Sequence, residues 1–234
     1  MSPNSQITAL SLTGCGKFLS SMPKSVRFRT LTKELNRLKK QFIPKIKPGH
    51  FYSPRQLALT LAYRVLAHAE IEAYLEDRVW EAALNAKNNW DSQGKTCCTL
   101  ICLLAFSGQM MELPPDTLSP TKPAKKIPDE KIKINKKIDL AINSFKRIID
   151  QNHGIKEANI LSLLLPIGIN PENLNIFWLA TMNTFGEDRG VAVHTSATSP
   201  TTIRVLNPIN ELERVEQIIQ ELLKVDELIN DLMR

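Results

Sequence analysis

The chain has 234 residues, 43% of them hydrophobic, a length that buries one substantial core and would also permit two small ones. Its net charge of +6 is modest. The longest apolar run, Leu100 to Phe106, is too short to cross a bilayer, and the first twenty residues carry Pro3 and Gly14 without the apolar stretch of a signal peptide, so a cytoplasmic protein without membrane contact is expected.

Alternating β-branched patterns never last, whereas apolar residues recur at three- and four-residue intervals from residue 26 onward, and the fold is expected to be all-α. A first helix is expected from about Ser25 to Phe42, with Val26, Leu31, Leu35, Leu38 and Phe42 inward. It is strongly basic: residues 17 to 47 hold ten cations (Lys17, Lys24, Arg27, Arg29, Lys33, Arg37, Lys39, Lys40, Lys45, Lys47) against Glu34 alone. Such a helix can follow a phosphate backbone, for which Arg27, Arg29, Lys39 and Lys40 are the candidate contacts, or it can be a solvated face packed on the body. Residues 1–48 are therefore expected to form a basic extension and 49–234 a helical domain. The second helix has Ser53 as N-cap and Pro54 at its first position, and reaches about Asn88 as the spine of a bundle.

A third helix is expected over about Thr96 to Met110, with Cys97, Cys98 and Cys102 as small buried hydrophobes, a redox role being the alternative. The four cysteines, Cys15 included, match no zinc spacing, and no metal or other cofactor is expected. Five prolines between Leu113 and Pro128 make that stretch a long crossover loop, overlapping a second basic run from Lys122 to Lys137. The fourth helix should run from about Asp129 to Gln151 and a short one from Lys156 to Leu165. The cap signal Asn170-Pro171-Glu172 should open a helix ending near Phe185 that delivers the segment after it. A last helix, from Pro208 to about Leu232, is apolar over more than one face and must bury both, inside the bundle or against a second subunit.

That segment, Asp188-Arg189-Gly190-Val191-Ala192-Val193-His194-Thr195-Ser196, sets an arginine and a histidine five positions apart. Arginine offers a fixed fork of donors to phosphate oxygens and histidine moves protons near neutrality, a pair suited to cleaving RNA without a metal. In a regular helix the two sit about 140° apart, and a kink at Gly190 would bring them closer. The alternative is that Arg189 caps a helix end and His194 is an ordinary histidine. Upstream, His68 and Glu72 in Tyr63-Arg64-Val65-Leu66-Ala67-His68-Ala69-Glu70-Ile71-Glu72-Ala73-Tyr74 share one helix face and can pair. Trp178 and Phe185 read as core, His50 and His153 as exposed loop residues.

The runs Pro166-Ile167-Gly168-Ile169-Asn170, Phe177-Trp178-Leu179 and Thr184 to Ser196 resemble the C-terminal half of the HEPN family, more narrowly its RiboL-PSP-HEPN branch. The family signature is an arginine, four to six residues, then a histidine, and this chain shows the four-residue form. The Ala67-His68 segment is similar to the family's first long core helix, and the glutamate in question is either Glu70 or Glu72. Many members carry a polar residue where this chain has Gly190. The resemblance implies an antiparallel HEPN-like bundle, with the basic helix added at its start, acting as a homodimer. It implies a metal-independent endoribonuclease for single-stranded RNA, with Arg189 and His194 catalytic and His68, Glu72, Glu70 and Thr195 supporting. It also implies a setting in defence, toxin–antitoxin or stress response, with an antitoxin or defence-system protein as a further partner. HEPN toxins silenced by nucleotide transfer onto a tyrosine carry it two places after the histidine, where this chain has Ser196. The family equally includes inactive helical modules that bind RNA or a protein.

Overall fold

The computed structural model describes residues 24–45, 52–110, 130–194 and 206–234, except for the side chains of 130–132 and 193–194. These residues form seven α-helices and no strand: α1 (Val26–Phe42), α2 (Pro54–Gln93), α3 (Cys98–Phe106), α4 (Glu130–Asp150), α5 (Glu157–Leu164), α6 (Ile176–His194) and α7 (Pro208–Leu232). The proline-rich stretch Leu113–Pro128 lies outside the described residues, as do Cys15 and His50.

The spine is α2. Ser53 and Gln56 form a reciprocal capping box at its start, and Gly94, in the left-handed conformation at φ 65°, closes it. Its forty residues span about 60 Å, enough to pack against each of the other six helices. The core forms around it from Tyr63, Ala67, Ile71, Tyr74, Leu75, Val79, Ala82 and Ala83, all essentially inaccessible. None of the described helices is long and apolar enough to cross a membrane.

Helix α1 lies on α2 and α7 through Phe28, Leu31, Leu35 and Leu38, each worth roughly 1.5–3 kcal/mol when buried. Val26 does not join them: it is about 200° round the helix from Phe28 and is exposed. The start of α1 is fixed by Asp226, which is fully buried in α7. Its carboxylate accepts from Ser25 N (2.9 Å), Ser25 Oγ (2.6 Å) and Tyr74 Oη (2.7 Å), and pairs with Arg78 Nε at 2.9 Å. A buried carboxylate held by this many donors joins three helices at one point.

Of the two ways in which α7 could bury its apolar faces, its packing shows burial inside the bundle. Val215, Ile218, Leu222, Val225 and Ile229 are buried, and Ile219, Leu223, Leu228 and Leu232 are half-buried against the same core, so both apolar faces are taken up within the chain. Exposed apolar side chains occur on several other helices, among them Ile176, Phe177 and Val191 at the two ends of α6. Helix α3 is shorter than the expected Thr96 to Met110, and the cysteines expected there as small buried hydrophobes are not buried. Cys98 is exposed, Cys97 and Cys102 are half-buried, and the sulfurs of Cys98 and Cys102 stand 3.9 Å apart over Gly168.

Candidate active site

Asn170 and Pro171 cap only a single 3-10 turn, Pro171–Asn173, because Leu174 returns to extended backbone. A second cap follows at once: Asn175 accepts from Phe177 N at 2.9 Å, and α6 then runs unbroken through Gly190 to His194. The Arg-x4-His segment is thus the last third of a helix rather than a loop delivered by one, and Gly190 produces no kink. A Cβ at Gly190 would meet nothing within 4 Å, whereas at Gly186 it would come within 2.9 Å of Lys156 Cγ, so it is Gly186 that lets α6 approach the start of α5.

Trp178, Met182 and Phe185 form the core-facing stripe of α6, and Arg189 continues it by one further turn. The arginine therefore faces α2, where its Nε is buried without a hydrogen bond. The position of His194 is about 140° round the helix from Arg189, on the face that carries the exposed Ile176, Glu187 and Val191. The side chain of His194, and Thr195 and Ser196 entirely, lie outside the described residues.

Opposite Arg189, α2 presents His68 and Glu72. His68 is 1% exposed, its ring centroid 5.9 Å from that of Phe185, and its Nδ1 is 3.5 Å from Glu72 Oε2 without a formed hydrogen bond. Burial, reinforced by the charge of Arg189, lowers its pKa to about 4, so the ring is neutral at pH 7. Burial and the neighbouring Glu76 raise Glu72 against the opposing pull of Arg189 and His153. Glu70 is about 200° round α2 from His68 and takes no part in this cluster.

One residue before Arg189, Asp188 joins a network that sequence reading missed. Arg64 on α2 donates twice to Glu211 on α7 (Nε to Oε2, 2.9 Å; Nη2 to Oε1, 2.5 Å), and Arg214 on α7 holds Asp188 at 2.6 Å. Arg64 and Glu211 are 8% and 2% exposed; removing one partner of such a pair strands the other's charge, at about 3–5 kcal/mol. The network fixes where α6 ends relative to α2 and α7. Its signal was half present: Arg64, His68, Glu72 and Glu76 follow one another at four-residue intervals.

The basic helix divides. Arg27 is paired with Asp77 at 2.6 Å and Lys39 with Glu216 at 3.0 Å, both acids from the body of the bundle. Arg29, Lys33 and Lys40 are exposed, with no ion-pair partner among the described residues, along a groove shared with Lys24 and Arg37. His153 is exposed as expected, and Trp178 and Phe185 are core. Among the described residues no three His, Cys, Asp or Glu side chains are grouped to hold a metal ion.

An all-helical bundle on a single long spine, with Arg-x4-His on a helix packed against it, defines a HEPN-type domain. The family model of RiboL-PSP-HEPN matches residues 27–225, and the chain belongs to that family. The match takes in nearly all of α1 and every residue of the buried ion-pair network on α2, α6 and α7, and ends within α7. No curated protein and no solved structure matches the chain.

Proposed function

We infer that the protein is a metal-independent endoribonuclease acting on single-stranded RNA, with Arg189 and His194 as its catalytic residues. The observation that carries this reading is the unbonded Nε of Arg189, a permanent cation at the mouth of a buried polar cluster, on a helix whose final turn bears the histidine. In this chemistry His194 takes the proton of the ribose 2′-hydroxyl as that oxygen attacks the adjacent phosphorus. Arg189 steadies the charge on the phosphoryl oxygens, and the 5′-oxygen leaves with a proton from a second histidine. The products are a 2′,3′-cyclic phosphate and a 5′-hydroxyl, and DNA, lacking the 2′-hydroxyl, is not cut.

Glu72 and the neutral His68 orient Arg189 in this scheme. Thr195 stays a candidate phosphate contact, and Arg29 and Lys40 are stronger candidates for the RNA path than the paired Arg27 and Lys39. The separation of positions 189 and 194 round α6 favours a homodimer in which two copies complete the site, and the exposed Ile176, Phe177 and Val191 offer the apolar surface for it. A defence, toxin–antitoxin or stress-response setting, and a cytoplasmic location, accord with the family.

A second reading, an inactive helical module that binds RNA or a protein, is favoured by the same register: Arg189 continues the core-facing stripe and serves equally as a packing residue. Incubation with single-stranded RNA in EDTA separates the two. Cleavage by the wild type, lost in Arg189→Ala and in His194→Ala while helix content is kept, supports the nuclease. Cleavage at wild-type rates by both variants refutes it. Light scattering should report about twice the 26.4 kDa chain mass, and a monomer that still cuts rules out the shared site.

A further inference from the structure

The polar row on α2 does not stop beneath Arg189. His68, Glu72, Glu76 and Trp80 follow at four-residue intervals, about 6 Å apart along one face, and lead outward from the buried cluster. Beyond Glu72 the row opens into a crevice of about 330 Å³ between α2, the end of α4 and the turn after it, lined by Glu76, Trp80, Lys146, Ile149, Asn152 and His153 among others. Glu72 is the link: its carboxylate feels Arg189 from one side and Glu76 and His153 from the other.

The lining is built rather than incidental. Asn152, 8% exposed, donates to Glu76 Oε1 at 2.7 Å and to Gly154 O at 3.1 Å, and accepts from Asn159 at 3.0 Å, so one oxygen of Glu76 is held in place by a nearly buried amide. Trp80 and Ile149 supply flat apolar wall, with the Lys146 ammonium 5.6 Å from the Trp80 ring centre. The other acids of the crevice are already committed, Asp77 to Arg27 and Asp150 to Lys146, and Glu76 is left as its acceptor. A pocket whose one uncommitted carboxylate is Glu76, beside a flat wall, suits a planar ring that presents N–H groups at its edge better than it suits a phosphate.

We propose that this crevice is a nucleobase subsite, selective for guanine, that seats the base next to the phosphate bound at Arg189. Guanine alone among the four RNA bases presents two adjacent donors, N1–H and the 2-amino group, to one carboxylate. Adenine and cytosine offer a single amino group, and uracil a single N–H between two carbonyls that the Glu76 carboxylate disfavours. The inference deepens the nuclease reading and rests on it for the neighbouring phosphate, but the base pocket can be measured without any cleavage.

The experiment is calorimetric titration of the intact protein with guanosine, adenosine, cytidine and uridine 3′-monophosphates, in parallel with inosine 3′-monophosphate, which lacks the 2-amino group. Guanosine monophosphate is expected to bind at least tenfold more tightly than the uridine nucleotide and several-fold more tightly than the inosine one. Glu76→Gln, which keeps an oxygen for Asn152 but turns an amide donor toward the base, should erase the preference without changing the melting temperature. Equal binding of all the nucleotides, absence of binding, or a guanine preference that survives Glu76→Gln overturns the subsite. The two readings fail separately. Arg189-dependent RNA cleavage with no base preference and no selective binding leaves the nuclease standing and removes the subsite; selective guanosine binding that Glu76→Gln abolishes, in a protein that cuts no RNA, does the reverse.

Discussion

Neutral His68 makes the stability of the bundle depend on pH in a way that can be isolated from every other titration. In the unfolded chain its imidazole titrates near 6.5, and in the folded protein, buried and facing Arg189, near 4. Between those values the unfolded state holds nearly one proton more than the folded state, so stability falls as pH falls. The contribution is fully present above 6.5 and is lost on acidification from 6.5 to about 4. The interval sets a ceiling of about 3.5 kcal/mol, at about 1.4 kcal/mol per pH unit. The partly exposed Glu72 beside the ring offsets part of this, so about 1.5–2 kcal/mol is the expected loss. Glu72 itself works in the opposite sense, because its raised pKa makes the folded state bind a proton first and so adds stability on acidification. A single wild-type curve mixes the two. The difference between wild type and His68→Gln does not, since every carboxylate is common to both. Urea unfolding followed by helical circular dichroism, at half-unit steps from pH 7.5 to 4, should show the wild type losing about 1.5–2 kcal/mol relative to the variant. In melting temperature that is about 3–8 °C for a chain of this size. Parallel curves through that window would mean that His68 is not a buried neutral histidine, and the orienting role assigned to it would go.

Gly190→Ala should stabilise the protein by about 0.5–1 kcal/mol, because the added methyl meets nothing and the helix is regular there, while leaving RNA cleavage unchanged. A loss of activity in that stabilised variant would show that the end of α6 must bend during turnover. Along α1, neutralising Arg29, Lys33 and Lys40 together should reduce the salt dependence of RNA binding by about two units of slope, near 0.7 for each single-strand phosphate contact. Neutralising Arg27 and Lys39 should leave the slope nearly unchanged, because Asp77 and Glu216 already hold them. Equal effects from the two sets would refute the division of the helix into a docked and a free side.

The helices could be found in the sequence because each is marked locally. Ser53-Pro54 begins α2 and Asn207-Pro208 begins α7, and the structure shows both caps in place. Where two cap signals compete within six residues, local reading chose the wrong one. Asn170-Pro171 is the stronger motif, but Leu174 is buried in extended backbone, and the chain can satisfy that only by starting the helix again at Asn175. The apolar faces of α7 were legible too, but their partner was not. Whether a second stripe is covered by the same chain or by another copy depends on how α1 and α6 lie across it, which no periodicity within α7 records.

The site divides along the same line. His68 and Glu72 are visible as a pair because four residues is the repeat of their own helix, and Arg189 and His194 because five is a family spacing. What joins the two pairs is the network of Arg64, Glu211, Arg214 and Asp188, with Arg64 and Glu211 147 positions apart and therefore related only by the fold. That network gives the register of α6 its meaning. With Asp188 clamped to α7 and Phe185 packed on His68, α6 cannot turn about its axis to exchange the face that Arg189 presents to α2 for the one that carries position 194. A straight helix so fixed assigns its arginine to the interior of its own bundle and its histidine position to the outer face. For the two to act on one phosphate, either the last turn of α6 must unwind or a second α6 must bring its own histidine, and the exposed Val191 one turn earlier is a better neighbour for the second arrangement than for solvent.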